Sequence, residues 1–140
     1  NTDVKIELFK TLKEVSFNNI YVFGSYEILN VLKFFFTLYL FIYVKNTYQD
    51  VLETGMNSYS LARAIVNNMS GVKEIKIWAT FTELEDGKII IELRSSKANI
   101  NEIAVKYGGG GHIQASGATV ESWDVIDNVI EDMIKKTSEV

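Results

Sequence analysis

Four consecutive glycines, Gly108–Gly111, followed at once by the only histidine of the chain, His112, constrain the fold more than any other stretch. Glycine loses more backbone entropy on folding than any other residue, so a structured chain keeps such a run where no side chain fits or where φ must be positive. Consecutive N–H groups in that conformation form a concave nest that attracts anions. The plain alternative is a glycine helix cap followed by a flexible loop. Apolar patterns on both sides argue for a structured turn. Ile100, Ile103, Ala104 and Tyr107 fall at helical spacing before it, and Ile113–Val120 reads as a strand after it, with Ala115, Ser116, Gly117 and Ala118 at its centre. His112 would then stand on an open turn, placed to donate a hydrogen bond to a phosphoryl oxygen or to stack on a base.

The segments around the turn alternate between helix and strand signals. Asn57 or Ser58 can cap a helix that carries Leu61, Ala62, Ile65, Val66 and Met69 inward and stops at Gly71. Ile75, Ile77, Ala79 and Phe81 then alternate with Lys76, Trp78, Thr80 and Thr82, a strand pattern. Glu85-Asp86-Gly87 is hairpin chemistry, and Lys88–Arg94 returns with Ile89, Ile91 and Leu93 on one face. Asn99-x-x-Glu102 resembles a capping box. The last helix starts near Ser122, with Trp123, Ile126, Ile130, Met133 and Ile134 inward and the pairs Glu131–Lys135 and Asp132–Lys136 toward solvent. This order predicts an α+β fold, a small mixed β-sheet with helices packed on it.

Residues 1–55 have a different texture, rich in aromatics and Asn, and read as a connector or a remnant of a preceding lobe; residues 56–140 form the domain. Within the first part, Val4, Leu8, Leu12 and Val15 fit a short helix capped by Thr2 or Asp3, and Tyr26–Leu32 fits a second. The run Phe34–Val44 is about half the roughly 20 apolar residues a spanning helix needs, and lysines flank it. A buried strand or core helix is expected there, and no membrane partner. The aromatic 20–45 region is also an expected homodimer contact.

Composition narrows the chemistry. A net charge of −4 argues against a long duplex ligand, where many Lys/Arg–phosphate contacts supply affinity, and leaves a short anion held by local geometry. Without cysteine there are no disulfides or thiolate metal sites, which fits an intracellular setting. With one histidine, metal binding by these residues alone is not expected. Arg94-Ser95-Ser96-Lys97 ends a strand, where Arg offers a bidentate fork to phosphate and Lys a point charge. Lys106 would add positive potential near the glycines. Trp78 and Tyr59 could stack on bases, although core packing is the better reading of both. No carboxylate pair or metal-site spacing stands out, so no catalytic residue is assigned.

The block Arg94-Ser-Ser-Lys97, Asn101-Glu-Ile-Ala104, Gly108-Gly-Gly-Gly-His112 and Ala115-Ser-Gly117-Ala118 resembles the DHHA1 domain of DHH-type phosphoesterases, most of all the bacterial branch that degrades very short RNAs and dephosphorylates 3′-phosphoadenosine 5′-phosphate. The resemblance covers residues 56–140. It implies that a preceding DHH domain binds manganese and activates the water that attacks phosphorus, while the DHHA1 domain closes over the substrate, a short RNA or small nucleotide, in the cytoplasm. Carried over, Arg94 and His112 would contact substrate phosphate, Gly109, Gly110 and Gly111 would approach the nucleotide, and Ser95 would be a weaker contact. The sequence has no DHH motif, so the chain alone is expected to be an inactive substrate-binding half. The competing reading is a binding module without chemistry, like the glycine-rich tail domain of alanyl-tRNA synthetases.

Overall fold

The computed structural model describes residues 5–6, 13–17, 20–24, 41–71, 73 and 75–140, the first three groups by their backbone. Among these residues, eight strands form one sheet in the order β1-β2-β3-β4-β5-β6-β8-β7: β1 (Lys5–Ile6), β2 (Lys13–Phe17), β3 (Ile20–Gly24), β4 (Phe41–Asn46), β5 (Ile77–Glu83), β6 (Ile89–Ser95), β7 (Gly110–His112) and β8 (Ala115–Val120). Four helices accompany them: α1 (Tyr48–Thr54), α2 (Ser58–Asn68), α3 (Asn101–Lys106) and α4 (Asp124–Ser138). Only β4 and β5 pair in parallel, joined by the crossover through α1 and α2; the other ladders are antiparallel. The expected mixed sheet of an α+β fold is present.

Both faces of the central strands are covered. On one, Ile77, Ala79 and Phe81 of β5 and Ile89, Ile91 and Leu93 of β6 share a core with Ile100, Ile103 and Ala104 around α3 and with Ile126, Val129, Ile130 and Met133 of α4. On the other lies α2. The Trp78 indole N–H donates to the Val66 carbonyl at 2.8 Å, and the Thr80 hydroxyl donates to the Ala62 carbonyl at 3.2 Å. Trp78 is core, as expected, and Thr80 and Thr82, which alternate with the apolar residues of the strand, are buried as well. A period of two marks which residues share a face, and the crossover decides what covers it.

Sequence-expected elements change in several places. Lys5–Ile6 and Lys13–Phe17 are strands, so the amphipathic helix through Val15 does not form there; Val15 stands opposite Val22 in the β2–β3 ladder, where β-branched residues pair well. Val4, Leu8, Leu12 and the segment Tyr26–Leu32 lie outside the described residues, as do residues 34–40 of the apolar run. The end of that run enters β4, where Phe41, Tyr43 and Val44 are buried. Phe41 and Tyr43 belong to the same core as β5 and β6, and α1 follows them, so packing is continuous across residue 55. Among the described residues, no helix is long and apolar enough to cross a membrane.

Helix α3 begins at Asn101 with Ile100 at the N-cap position and no side-chain cap. The Asn99 amide donates instead to the Glu102 carboxylate at 3.1 Å, so the expected capping box is absent. Ile134 is 37% exposed, and Val129 takes the inward place beside Ile126, Ile130 and Met133. The expected pairs within α4 give way to pairs between elements. Asp132 accepts from Lys106 Nζ at 2.8 Å and from the Tyr107 hydroxyl at 2.7 Å, and Lys136 donates to Glu102 at 2.6 Å. These contacts fix the end of α3, and with it the start of the glycine run, against α4.

Candidate functional site

The glycine run divides into a helix cap and an edge strand. Gly108, at φ +80°, donates its N–H to the Val105 carbonyl at 3.0 Å, and Gly109 donates to the Ala104 carbonyl at 2.8 Å. This is a Schellman termination of α3, which uses two of the four glycine N–H groups expected to form a nest. The remainder, Gly110–His112, is β7, paired Gly110↔Gly117, Gly111↔Ser116 and His112↔Ala115 with β8. The expected open turn is thus an edge strand. The reversal is made by Ile113-Gln114, where a strand had been expected to begin. It is pinned from behind: Ile100 N–H donates to the Ile113 carbonyl at 2.9 Å, and Ser95 N–H to the Gln114 carbonyl at 3.1 Å.

Glycine is required where the two strands close on each other. A Cβ at Gly109 would fall on the Gly117 carbonyl oxygen and on Ala118, and one at Gly111 would meet the Ala115 carbonyl oxygen at 2.6 Å. Gly110 has open space. The Ser116 hydroxyl holds the hairpin to α3, in contact with the His112 carbonyl oxygen at 2.5 Å and Asn101 Oδ1 at 3.2 Å.

Register brings the predicted residues together. Trp78 pairs with Arg94, Arg94 with Ala115, and Ala115 with His112, so these four stand on one rung across β5, β6, β8 and β7. Cross-strand partners point to the same face, so Arg94 and His112 share the α2 side of the sheet, separated by a small alanine. The neighbouring rung carries Glu92, Gly117 and Gly110. Helix α2 covers β5 and β6, and beyond its edge a cleft of about 360 Å³ opens, lined by Tyr59, Arg63, Glu92, Gly108, Gly109 and Gly117 among others. His112 and Gly109–Gly111 are exposed.

Arg94 is 21% exposed in its side chain, and its Nη1 donates to Glu92 Oε2 at 3.1 Å and to the Leu93 carbonyl at 2.9 Å. Its Nε and Nη2 edge has no hydrogen bond among the described residues. Ser95 points the opposite way: it is buried, and its hydroxyl donates to the Ala98 carbonyl at 2.5 Å, closing the loop into α3. Lys106 is held by Asp132 and does not face the cleft as a free cation. Trp78 is core, and Tyr59 is 51% exposed at the cleft. Arg63 and Glu92 were not singled out by sequence. Arg63 reads as one charged residue on the polar face of a helix, and Glu92 as the outward member of an alternating strand. Among the described residues, no group of three or more His, Cys, Asp or Glu could hold a metal ion.

A family model described as the DHHA1 domain matches residues 41–139. The bifunctional oligoribonuclease and PAP phosphatase NrnA of Mycoplasma genitalium is 47% identical over 73 residues, which are 52% of this chain and 23% of that protein. The protein of the same name from Bacillus subtilis is 39% identical over 85 residues, 61% of this chain and 27% of the relative. The aligned part is thus about a quarter of the length of these curated relatives. Among solved structures, an exopolyphosphatase-related protein from Bacteroides fragilis superposes with a TM-score of 0.60 at 22% identity, over 71% of this chain and 29% of that one. The C-Ala domain of Aquifex aeolicus alanyl-tRNA synthetase superposes with a TM-score of 0.54 at 14% identity, over 71% of this chain and 92% of that one. At these identities the two structures share the fold.

Proposed function

Because this chain belongs to the DHHA1 domain family, we propose that it holds the phosphate-bearing part of a short RNA or small nucleotide for hydrolysis by a partner DHH domain. The observation that carries this reading is the rung Arg94–Ala115–His112 beside a floor of glycines. An arginine with a free edge and an imidazole flank a surface from which side chains have been removed, so a nucleotide backbone can approach the sheet closely. Relatives named as oligoribonuclease and PAP phosphatase support the substrate class.

In this reading the Arg94 Nε/Nη2 edge donates to a phosphoryl oxygen while Nη1 stays on Glu92, which fixes the fork in place. His112 donates to the ligand or stacks on its base. In this reading the manganese that the family resemblance implies belongs to the partner DHH domain of a cytoplasmic enzyme, where it would activate the attacking water. Replacing Arg94 by Ala should weaken binding of a 5′-phosphorylated diribonucleotide by roughly 1.5–3 kcal/mol, the cost of one charged hydrogen bond. Unchanged affinity in titration calorimetry would reject the assignment.

A further inference from the structure

The cleft beside the Arg94–Ala115–His112 rung is built from other residues, and neither Arg94 nor His112 lines it. Three hydrogen bonds lay α2 along β5 in the opposite direction: the Val66 carbonyl accepts from Trp78, the Ala62 carbonyl accepts from Thr80, and the Ser58 hydroxyl donates to the Glu83 carbonyl at 2.9 Å. Arg63 therefore stands level with the rung Thr80–Glu92–Gly117–Gly110, and Tyr59, one turn earlier, with the rung Thr82–Ile90–Thr119. The cleft thus begins one rung, about 7 Å, from Arg94 and His112 on the same face of the sheet. Its two charged residues offset each other, with Arg63 Nε 3.9 Å from Glu92 Oε1, so it holds no surplus positive charge for a second phosphate. Its floor at Gly108, Gly109 and Gly117 is bare backbone. Its wall carries the ring of Tyr59, which is 51% exposed and makes no hydrogen bond or ring contact among the described residues. An aromatic ring beside a floor without side chains suits a flat, uncharged group, and a volume of about 360 Å³ is at the lower end of the roughly 300–1,000 Å³ of ligand pockets.

We propose that this cleft receives the base of a nucleotide whose phosphate lies at Arg94 and His112, and that the base stacks on Tyr59. The proposal rests on that placement of the phosphate, which makes the cleft the place of the adjoining nucleoside. Phosphate and base then occupy separate parts of one face, so the charge of the phosphate, monoester or diester, stays outside the cleft. Stacking requires no particular base, because every base has a π-face. Tyr59 stands two rungs along the sheet from His112, so a dinucleotide can present one base to each ring.

The test uses the chain itself and a matched pair of ligands, adenosine 5′-monophosphate and ribose 5-phosphate, which carry the same phosphomonoester and differ by the base. In titration calorimetry the native chain should bind the nucleotide about tenfold more tightly, within the range for one base stacked on an aromatic side chain. Tyr59→Ala, at an exposed helix position that leaves the core untouched, should bring the two affinities together and leave that of ribose 5-phosphate where it was. Tyr59→Phe should keep the native difference, because the ring and not the hydroxyl makes the contact. Arg94→Ala should weaken both ligands alike. A difference that persists in Tyr59→Ala, or no difference in the native chain, overturns the placement of the base; the phosphate assignment still stands where Arg94→Ala weakens both ligands. Failure of both ligands to bind the native chain, or binding indifferent to Arg94→Ala, overturns the phosphate assignment and this proposal with it.

Discussion

Arg94 and His112 stand on the same rung of the sheet, one on each side of Ala115. Each could act on a ligand lying across that alanine, but by different chemistry. Arg94 bears a permanent charge, whereas the His112 ring offers a flat face and a hydrogen bond at an exposed strand edge. His112→Ala should therefore lower affinity for a diribonucleotide by about 1–2 kcal/mol, the scale of one stacked base, and leave inorganic phosphate binding where it was. Equal losses for the two ligands in parallel titrations would assign the ring to the phosphate instead.

The glycines make unequal demands. Gly109 and Gly111 are closed in by β8, and Gly111 also has φ +143°. Gly110 lies between them, with space for a Cβ and no positive φ. Gly109→Ala and Gly111→Ala should each destabilise by at least about 2 kcal/mol, through overpacking against a backbone that cannot retreat. Gly110→Ala should be neutral or stabilising by about 0.5 kcal/mol, because it removes entropy from the unfolded chain. Denaturant melts of the three variants check this. Equal effects would mean that the run serves as a flexible loop.

Ser95 separates stability from binding. Its hydroxyl is turned away from the cleft and bonded to the Ala98 carbonyl in a buried loop. Ser95→Ala should cost about 0.5–1.5 kcal/mol, the worth of one hydrogen bond, because the Ala98 carbonyl keeps its bond from the Ile100 N–H, and should not change nucleotide affinity. A native melt with weakened binding would restore Ser95 as a contact.

Of the candidate site, the residue types were legible from sequence and their arrangement was not. Arg94, His112 and the glycines stood out as candidates by residue type, by the cost of glycine and by the resemblance of their block to DHHA1 domains. That Arg94 and His112 share a face was not legible, because it depends on the register of two ladders through β8. Strand β7 escaped notice because its glycines have no side chains to carry a period of two. Arg63 and Glu92 could not be paired from sequence, because their approach depends on the crossover that places α2 beside β6. The hairpin at Asp86-Gly87 and helix α2 behind Asn57 were legible because their signals are local: Gly87 adopts φ +85°, and the Asn57 side chain accepts from Ser60 N–H at 2.9 Å. The Asn99 capping box failed because the same four-residue spacing let the side chains bond to each other.

Asp132 joins the far side of the site to the protein's pH response. Burial acts to raise its pKa, but hydrogen bonds from Lys106 and Tyr107, with the charges of Lys106 and Lys135, outweigh burial and hold it below the ordinary carboxylate value. The Tyr107 hydroxyl is pushed well above its usual range, first by burial and then by its bond to Asp132, so it remains a donor at any ordinary pH. The unfolded chain takes up the Asp132 proton before the folded one as pH falls. The stabilisation is therefore present above the unfolded value near about 4 and is lost as pH drops through the lowered folded value. Asp132→Asn should cost about 1–3 kcal/mol at neutral pH, and the gap to the native chain should narrow once the pH falls below about 4. Because Tyr107 leads directly into Gly108, the variant should also loosen the cap of α3, read as faster amide exchange at Gly108 and Gly109. Parallel stability curves for the two proteins from neutral to acid pH would show that the Lys106–Asp132–Tyr107 cluster contributes nothing through its charge.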